Sequence, residues 1–114
     1  MHIRPNLIHS LGFKTIEGFT FLNILQIVHF KAEGNVTFVY LFNQGKPLKV
    51  LHTFQEIEYR VLKTGFFFKC HHSHIVNIKH ITHFIVKTNI LVTEAGEVPI
   101  SDAYVQEFKD RYCK

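Results

Sequence analysis

Short stretches of β-branched and aromatic residues alternate with turn signals along the chain, and this close spacing limits the fold more than any other feature. The clearest turn signals are Gly18, the Gly-Asn pair at 34–35 and the segment NQGKP at 43–47. Turns this close favour antiparallel pairing over crossover connections between parallel strands. We predict eight or nine short strands, most of them in residues 13–23, 24–33, 36–42, 48–52, 83–87, 89–94 and 98–100.

Two segments carry helix signals. Thr53, followed three residues later by Glu56, forms a capping box; apolar residues then recur at helical spacing until Gly65 ends the helix. Ser101 is predicted as the N-cap of a second, C-terminal helix. Asp102 then lies in its first turn, where the helix dipole favours a negative charge.

The chain of 114 residues is predicted to hold one domain, residues 13–114, behind an N-terminal lead-in, residues 1–12. Hydrophobic residues make up 46% of it, which excludes an intrinsically disordered chain. No apolar run reaches the roughly 20 residues needed to cross a bilayer, and the N-terminal residues lack the apolar segment of a signal peptide. We expect a cytoplasmic protein without membrane contact, whose Cys70 and Cys113 stay reduced.

The formal net charge of +4 is modest, but the positive residues are concentrated. No acidic residue lies between Glu58 and Glu94, a span that contains five Lys or Arg residues and five of the nine histidines. A second acid-free stretch, residues 34–55, contains Lys46 and Lys49. The pattern indicates a surface that meets a polyanion, although cations spread over such a span can also point into solvent in different directions.

The segment FFFKCHHSHIVNIKHI, residues 66–81, holds four histidines and one cysteine and leaves three interpretations open. The first is a metal site. In an extended chain Cys70, His72 and His74 share one face, but same-face neighbours lie roughly 6.5–7 Å apart, which suits a strand better than a tight tetrahedral site. The C-x-x-C and H-x-x-x-H spacings of common zinc sites do not occur. We therefore expect no metal and no cofactor.

The second interpretation is catalysis and the third is contact with nucleic acid. A nucleophilic Cys70 would need a base and a third group to orient it, and the acid-free segment supplies no carboxylate for that role. Because Gly-rich phosphate loops and the G-x-S-x-G motif are also missing, we predict that the protein is not an enzyme and that Cys70 is a small buried residue. His, Ser, Asn and Lys side chains all donate to phosphate, and His and Asn also read base edges. The segment favours nucleic acid, although residues such as His71 and Asn77 can instead bond or cap their own turns.

The chain contains three further sequence motifs. Residues 67–77 match the pattern FF-x-[aliphatic or Cys]-H-x-S-x-[I/L]-[V/I]-N, EGNVT at 33–37 matches an E/D-G-N-x-T turn, and EVPIS at 97–101 is close to I-P-V-S. This combination resembles the LytTR-type DNA-binding domain of bacterial transcriptional regulators. The resemblance covers about residues 13–112.

The resemblance implies a mostly β fold: an elongated stack of small antiparallel β-sheets with two short helices. It also implies sequence-specific binding of double-stranded DNA by loops inserted in the major groove, here residues 33–38, 71–74 and 101–104. The full set of residues for which we predict DNA contacts is Asn35, Thr37, Phe38, Lys69, His71, His72, Ser73, His74, Lys79, Ser101 and Ala103. Asn35, Thr37, His72 and Ser73 are expected to make the main contacts.

Two departures from the family pattern affect the expected affinity. Asp102 and Ala103 stand where the family commonly has basic residues, and His72 stands where relatives usually have Arg, Lys or Asn. Both departures predict weaker or more pH-sensitive DNA binding, so the alternative function is a protein-interaction module of the same fold with weakened DNA affinity. The resemblance further implies a response regulator of a two-component system, acting as a homodimer on direct-repeat half-sites with an upstream receiver or sensor as partner. The chain is then either a stand-alone regulator or one domain of a longer one.

Overall fold

The computed structural model describes residues 10–114, in which ten strands and two α-helices follow the predicted alternation of short strands and turns. Their bounds are β1 Ser10–Thr15, β2 Gly18–Asn23, β3 Ile27–Glu33, β4 Val36–Leu41, β5 Leu48–Val50, α1 Phe54–Val61, β6 Phe67–His71, β7 His74–Asn77, β8 Ile81–Ile85, β9 Ile90–Thr93, β10 Gly96–Pro99 and α2 Asp102–Tyr112. Single 3₁₀ turns lie at Ile24–Gln26, Leu62–Thr64, Ile78–His80 and Val86–Thr88.

Two sequence predictions about these elements differ from the structure. The ten strands exceed the predicted eight or nine, because residues 67–77 form two strands joined by a tight turn. The predicted lead-in also ends too late, since residues 10–12 already belong to β1 and pair with β2. The remainder of the predicted lead-in, residues 1–9, lies outside the described residues.

The strands form three antiparallel sheets. A five-stranded sheet in the order β5-β4-β3-β7-β6 occupies the centre of the topology, beside a two-stranded sheet of β1 and β2 and a three-stranded sheet in the order β10-β9-β8. The described chain measures 47 × 36 × 25 Å along its principal axes. The predicted fold class, a mostly β stack of small antiparallel sheets with two helices, is confirmed.

The five-stranded sheet separates two hydrophobic clusters. One cluster joins it to β1 and α1 and includes Phe30, Phe67 and Ile75; the other joins it to α2 and the three-stranded sheet and includes Phe68 and Val76. Successive side chains on a strand point to opposite faces, so the adjacent pairs Phe67–Phe68 and Ile75–Val76 each supply one residue to either cluster. This explains why β6 and β7 contain consecutive apolar residues instead of alternating with polar ones.

The helix signals read from the sequence appear in the structure. The Thr53 hydroxyl accepts a hydrogen bond from the Glu56 N–H at 3.2 Å, and the Glu56 carboxylate accepts one from the Thr53 N–H at 2.8 Å, which confirms the capping box. Gly65 ends the segment with a positive φ of 85°. Ser101 occupies the N-cap position of α2, but its hydroxyl makes no capping hydrogen bond within the described chain. No helix in residues 10–114 is long and apolar enough to cross a membrane.

Candidate nucleic-acid interface

Three segments, two turns and the start of α2, meet at one end of the five-stranded sheet. The β3–β4 turn at 34–35 and the β6–β7 turn at 72–73 lie at this end because β3 pairs antiparallel with both β4 and β7. The Ala32 N–H donates to the Ser73 carbonyl at 2.9 Å, which ties the first turn to the second. The Ser101 N–H donates to the Cys70 carbonyl at 2.9 Å, which ties the start of α2 to β6 beside the same turn. The three segments predicted to act together are therefore neighbours.

The ends of these segments, which we call the tips, present polar and small side chains to solvent. Asn35, His72 and Ala103 are exposed on the first, second and third segments, respectively. Asp102, beside Ala103, is also exposed, and its carboxylate accepts a hydrogen bond from the Asn89 side chain. The tips can thus reach a ligand without rearrangement of the strands behind them.

The β6–β7 turn is held by a cluster of His71, Ser73 and His74, which we call the turn cluster. The Ser73 N–H donates to His71 Nδ1 at 3.1 Å, and Ser73 Oγ lies 3.0 Å from His71 Nδ1 and 3.2 Å from His74 Nδ1. Burial, followed by the neighbouring His72, lowers the pKa of His71 below its usual range. Burial, followed by the charges of His71, Lys31 and His72, lowers the pKa of His74 to about 4.

A row of basic and aromatic residues crosses all five strands behind the turns. Strand register places Lys49 opposite Phe38, Phe38 opposite Lys31, Lys31 opposite His74 and His74 opposite His71. Directly opposed residues of an antiparallel sheet project from the same face. Lys31 was not among the predicted residues, although the alternation in IVHFKAE before the Gly-Asn turn places it on one face with His29.

A buried histidine, His29, lies on this face of β3 two residues before Lys31. His29 is only 4% exposed, and its ring stacks on Tyr40 with 4.2 Å between ring centroids. Its Nδ1 has no hydrogen-bond partner within the described residues. Burial, followed by the charge of His74, lowers the pKa of His29 to about 4. His29 was also missed, since only the strand register reveals its proximity to His74, at 6.2 Å between ring centroids.

Three of the residues predicted to contact DNA lie away from the turns or have other partners. Thr37 is fully buried and its hydroxyl donates to the His52 carbonyl at 3.0 Å, so its side chain has no exposed donor for a ligand. Lys69 forms an ion pair with Glu58 of α1 at 3.0 Å. Lys79 is exposed but follows β7 at the end opposite the β6–β7 turn. None of the three belongs to the surface formed by the turns.

The extended-chain geometry considered for a metal site does not occur. Cys70 lies at a register shift in β6, His72 lies in the turn, and His74 begins the next strand. Within residues 10–114, no group of three His, Cys, Asp or Glu side chains is arranged to hold a metal ion. Cys70 is buried as predicted, and burial raises the pKa of its thiol to about 12, so it is not a reactive nucleophile.

Comparison with known proteins identifies the family that this arrangement represents. The LytTr DNA-binding domain model matches residues 17–112, and the chain therefore belongs to the LytTR family of DNA-binding domains. This is a family of DNA-binding domains and not of enzymes. No curated protein matches the chain in sequence.

A solved structure agrees with this assignment. It is the LytTr DNA-binding domain of a Bacillus cereus protein described as a methyl-accepting/DNA response regulator. The two chains share 26% sequence identity, and the match covers 90% of this chain and 94% of the other with a TM-score of 0.73. The resemblance inferred from the three sequence motifs is thereby confirmed.

Proposed function

We propose that the protein is a cytoplasmic transcriptional regulator that binds double-stranded DNA sequence-specifically, with its two turns and the start of α2 entering the major groove. The observation that carries the proposal is the pair of backbone hydrogen bonds from Ala32 to Ser73 and from Ser101 to Cys70. These bonds make three exposed segments into one surface, as simultaneous contact with a duplex requires. Family membership supports DNA as the ligand.

Within this surface the side chains suit two kinds of contact. Asn35 and His72 stand exposed at the turn tips, where they can hydrogen-bond base edges. Lys31, and Lys49 further across the sheet, supply cations behind the tips that can neutralise flanking phosphates. Ser101 and Ala103 form the third contact segment. We assign the turn cluster the role of holding the second turn in place.

The proposal extends to how the domain works in a regulator. Two copies would occupy direct-repeat half-sites as a homodimer, under the control of a receiver or sensor of a two-component system. The competing candidate is a protein-interaction module of the same fold. It is favoured by Asp102 and Ala103, which leave the exposed first turn of α2 without a cation.

The test is selection of random double-stranded DNA by the purified protein, followed by fluorescence anisotropy on the enriched sequence at several salt concentrations. We expect enrichment of two spaced half-sites in direct orientation. Affinity should fall steeply with salt, because each neutralised phosphate contributes about −0.9 to the slope of log K against log salt concentration.

Two lysine variants sharpen this test. Lys31→Ala should reduce the salt slope by about one phosphate contact, because Lys31 lies beside the turns. Lys63→Ala removes the same charge from the 3₁₀ turn after α1, where the ammonium lies 4.6 Å from the Tyr59 ring centroid, and should leave the slope unchanged. A steep slope without enrichment would indicate non-specific binding only. The absence of both would favour the protein-interaction module.

His72→Arg should raise affinity for the selected duplex about fivefold at pH 7.5. An arginine is charged at every pH and donates two parallel hydrogen bonds, whereas an imidazole carries a charge only in acid. His83→Arg adds the same charge at an exposed position of β8 and should raise affinity less. An affinity that falls in His72→Arg would contradict the placement of His72 against DNA.

A further inference from the structure

The role of His71 Nδ1 in the turn cluster can be assigned from one contact. The Ser73 backbone N–H can only donate, and it points at His71 Nδ1 from 3.1 Å. His71 Nδ1 must therefore be an unprotonated acceptor, and the ring proton of neutral His71 lies on Nε2. The Ser73 hydroxyl is close to the Nδ1 atoms of both His71 and His74 and, having one hydrogen, can donate to only one of them.

This assignment makes the turn dependent on the protonation state of His71. An imidazolium carries hydrogens on both ring nitrogens and cannot accept a hydrogen bond. Protonated His71 would oppose the Ser73 N–H with a second donor, so the contact that closes the turn would be lost. The backbone of Ser73 also joins β3 through its carbonyl, so the disturbance would reach the connection to the β3–β4 turn.

The groups that face His71 and His74 are cations or potential cations. The His72 ring lies 4.2 Å and the His74 ring 5.2 Å from the His71 ring. From β3, Lys31 stands opposite His74 and the His29 ring lies 6.2 Å from it.

Two acids on neighbouring elements have other partners, and Glu33 is exposed at the end of β3. Glu58 on α1 pairs with Lys69, and Asp102 on α2 accepts from Asn89. Among residues 10–114, no carboxylate forms an ion pair with His71 or His74 that would stabilise their charged forms. Burial, followed by the charge of His72, accordingly lowers the pKa of His71, which keeps the turn cluster neutral at physiological pH.

We propose that neutral His71 is a positioning residue that holds the DNA-reading turn, and that protonation of His71 releases this turn and reduces sequence discrimination in acid. The inference rests on the proposed DNA-binding function and adds a proton as its regulator. It predicts two opposite effects of acidification. Extra positive charge strengthens attraction to any duplex, while loss of the turn geometry reduces the preference for the selected sequence.

The experiment measures this preference directly, as the ratio of the dissociation constants for a scrambled and a selected duplex. It compares pH 7.5 with pH 5 at fixed ionic strength, with circular dichroism to verify that the fold persists. For the wild type we expect the ratio to fall about fivefold at pH 5, the effect of losing one net hydrogen bond.

Three variants separate the proposed cause from a general effect of histidine charge. In His71→Asn the side-chain oxygen replaces Nδ1 as acceptor and does not titrate, so the ratio should match the wild type at pH 7.5 and persist at pH 5. In His71→Leu no acceptor remains, and the ratio should be low at both pH values. His83→Asn removes an exposed histidine of β8 and should behave as the wild type.

Nitrogen NMR of the His71 ring tests the same inference without DNA. Nδ1 should be unprotonated at pH 7.5 and gain its proton in step with a shift of the Ser73 amide. A proton on Nδ1 at pH 7.5 would overturn the inference. A fall of the ratio at pH 5 that is as large in His71→Asn as in the wild type would also overturn it. If the wild type prefers no sequence at pH 7.5, the proposed function fails and the inference about DNA fails with it. If the wild type prefers the selected duplex at pH 7.5 but His71→Asn loses this preference in acid as the wild type does, only the inference about His71 fails.

Discussion

Replacing Asn77 with leucine should lower the free energy of unfolding by about 3 kcal/mol. Asn77 is fully buried at the end of β7, and its side-chain amide donates to the carbonyls of Ile27 at 2.9 Å and Ile24 at 3.3 Å. Its side-chain oxygen accepts from the Lys79 N–H at 3.0 Å. Leucine has nearly the same shape but leaves all three backbone groups without this partner, and each buried unpaired group costs about 1–3 kcal/mol.

Urea unfolding at pH 7.5 measures this change, and two further variants identify its cause. Asn35→Leu makes the same replacement on an exposed turn and should alter stability by less than about 0.5 kcal/mol. Asn77→Asp keeps the shape but points a carboxylate at two carbonyl oxygens, so it should destabilise more than leucine at pH 7.5. A loss below about 1 kcal/mol in Asn77→Leu would show that the backbone groups find other partners.

The parts of the fold that depend on neighbouring residues were predictable from the sequence. The Thr53–Glu56 capping box and the Gly34 turn are local, since each hydrogen bond or backbone angle involves residues within a few positions. The order of the central sheet was not predictable in this way. Strand β7 inserts beside β3 through pairs such as Phe30 with Ile75, which are far apart in sequence and depend on how two hydrophobic clusters share one sheet.

In the candidate site, too, the features that depend on local sequence were predictable and those that depend on tertiary contacts were not. The contacts of Asn35 and His72 were predicted because both residues lie within motifs, and both side chains are exposed. Thr37 lies in one of these motifs too, but its burial depends on a contact with His52, fifteen residues further along the chain. Lys31 was overlooked for the converse reason, because only pairing with β7 brings it beside the turn cluster. Residue type and spacing therefore located the turns, while tertiary pairing determined which side chains reach their surface.

Between pH 7.5 and pH 5, His29→Phe should lose about 2 kcal/mol less of its free energy of unfolding than the wild type does. The pKa of His29 falls from 6.5 to about 4 on folding, first because of burial and then because of His74. A group whose pKa is lowered in the folded state binds a proton more readily when unfolded, so its contribution is intact above pH 6.5 and is lost as pH falls toward 4. Phenylalanine keeps the ring stacked on Tyr40 and does not titrate.

The measurement is the free energy of unfolding of both proteins across this pH range. At pH 7.5 His29→Phe should be at least as stable as the wild type, because the substitution also removes Nδ1, a buried nitrogen without a hydrogen-bond partner in residues 10–114. His83→Phe removes an exposed histidine and should leave the acid loss of the wild type in place. Equal acid losses in the wild type and His29→Phe would mean that the sensitivity lies elsewhere, with His74 and His71 of the turn cluster the next groups to replace. A smaller loss of stability in His29→Phe would show that His29 makes the fold sensitive to acid. The proposed acid sensitivity of DNA recognition would still depend on His71, so variants at His29 and His71 can separate the two effects.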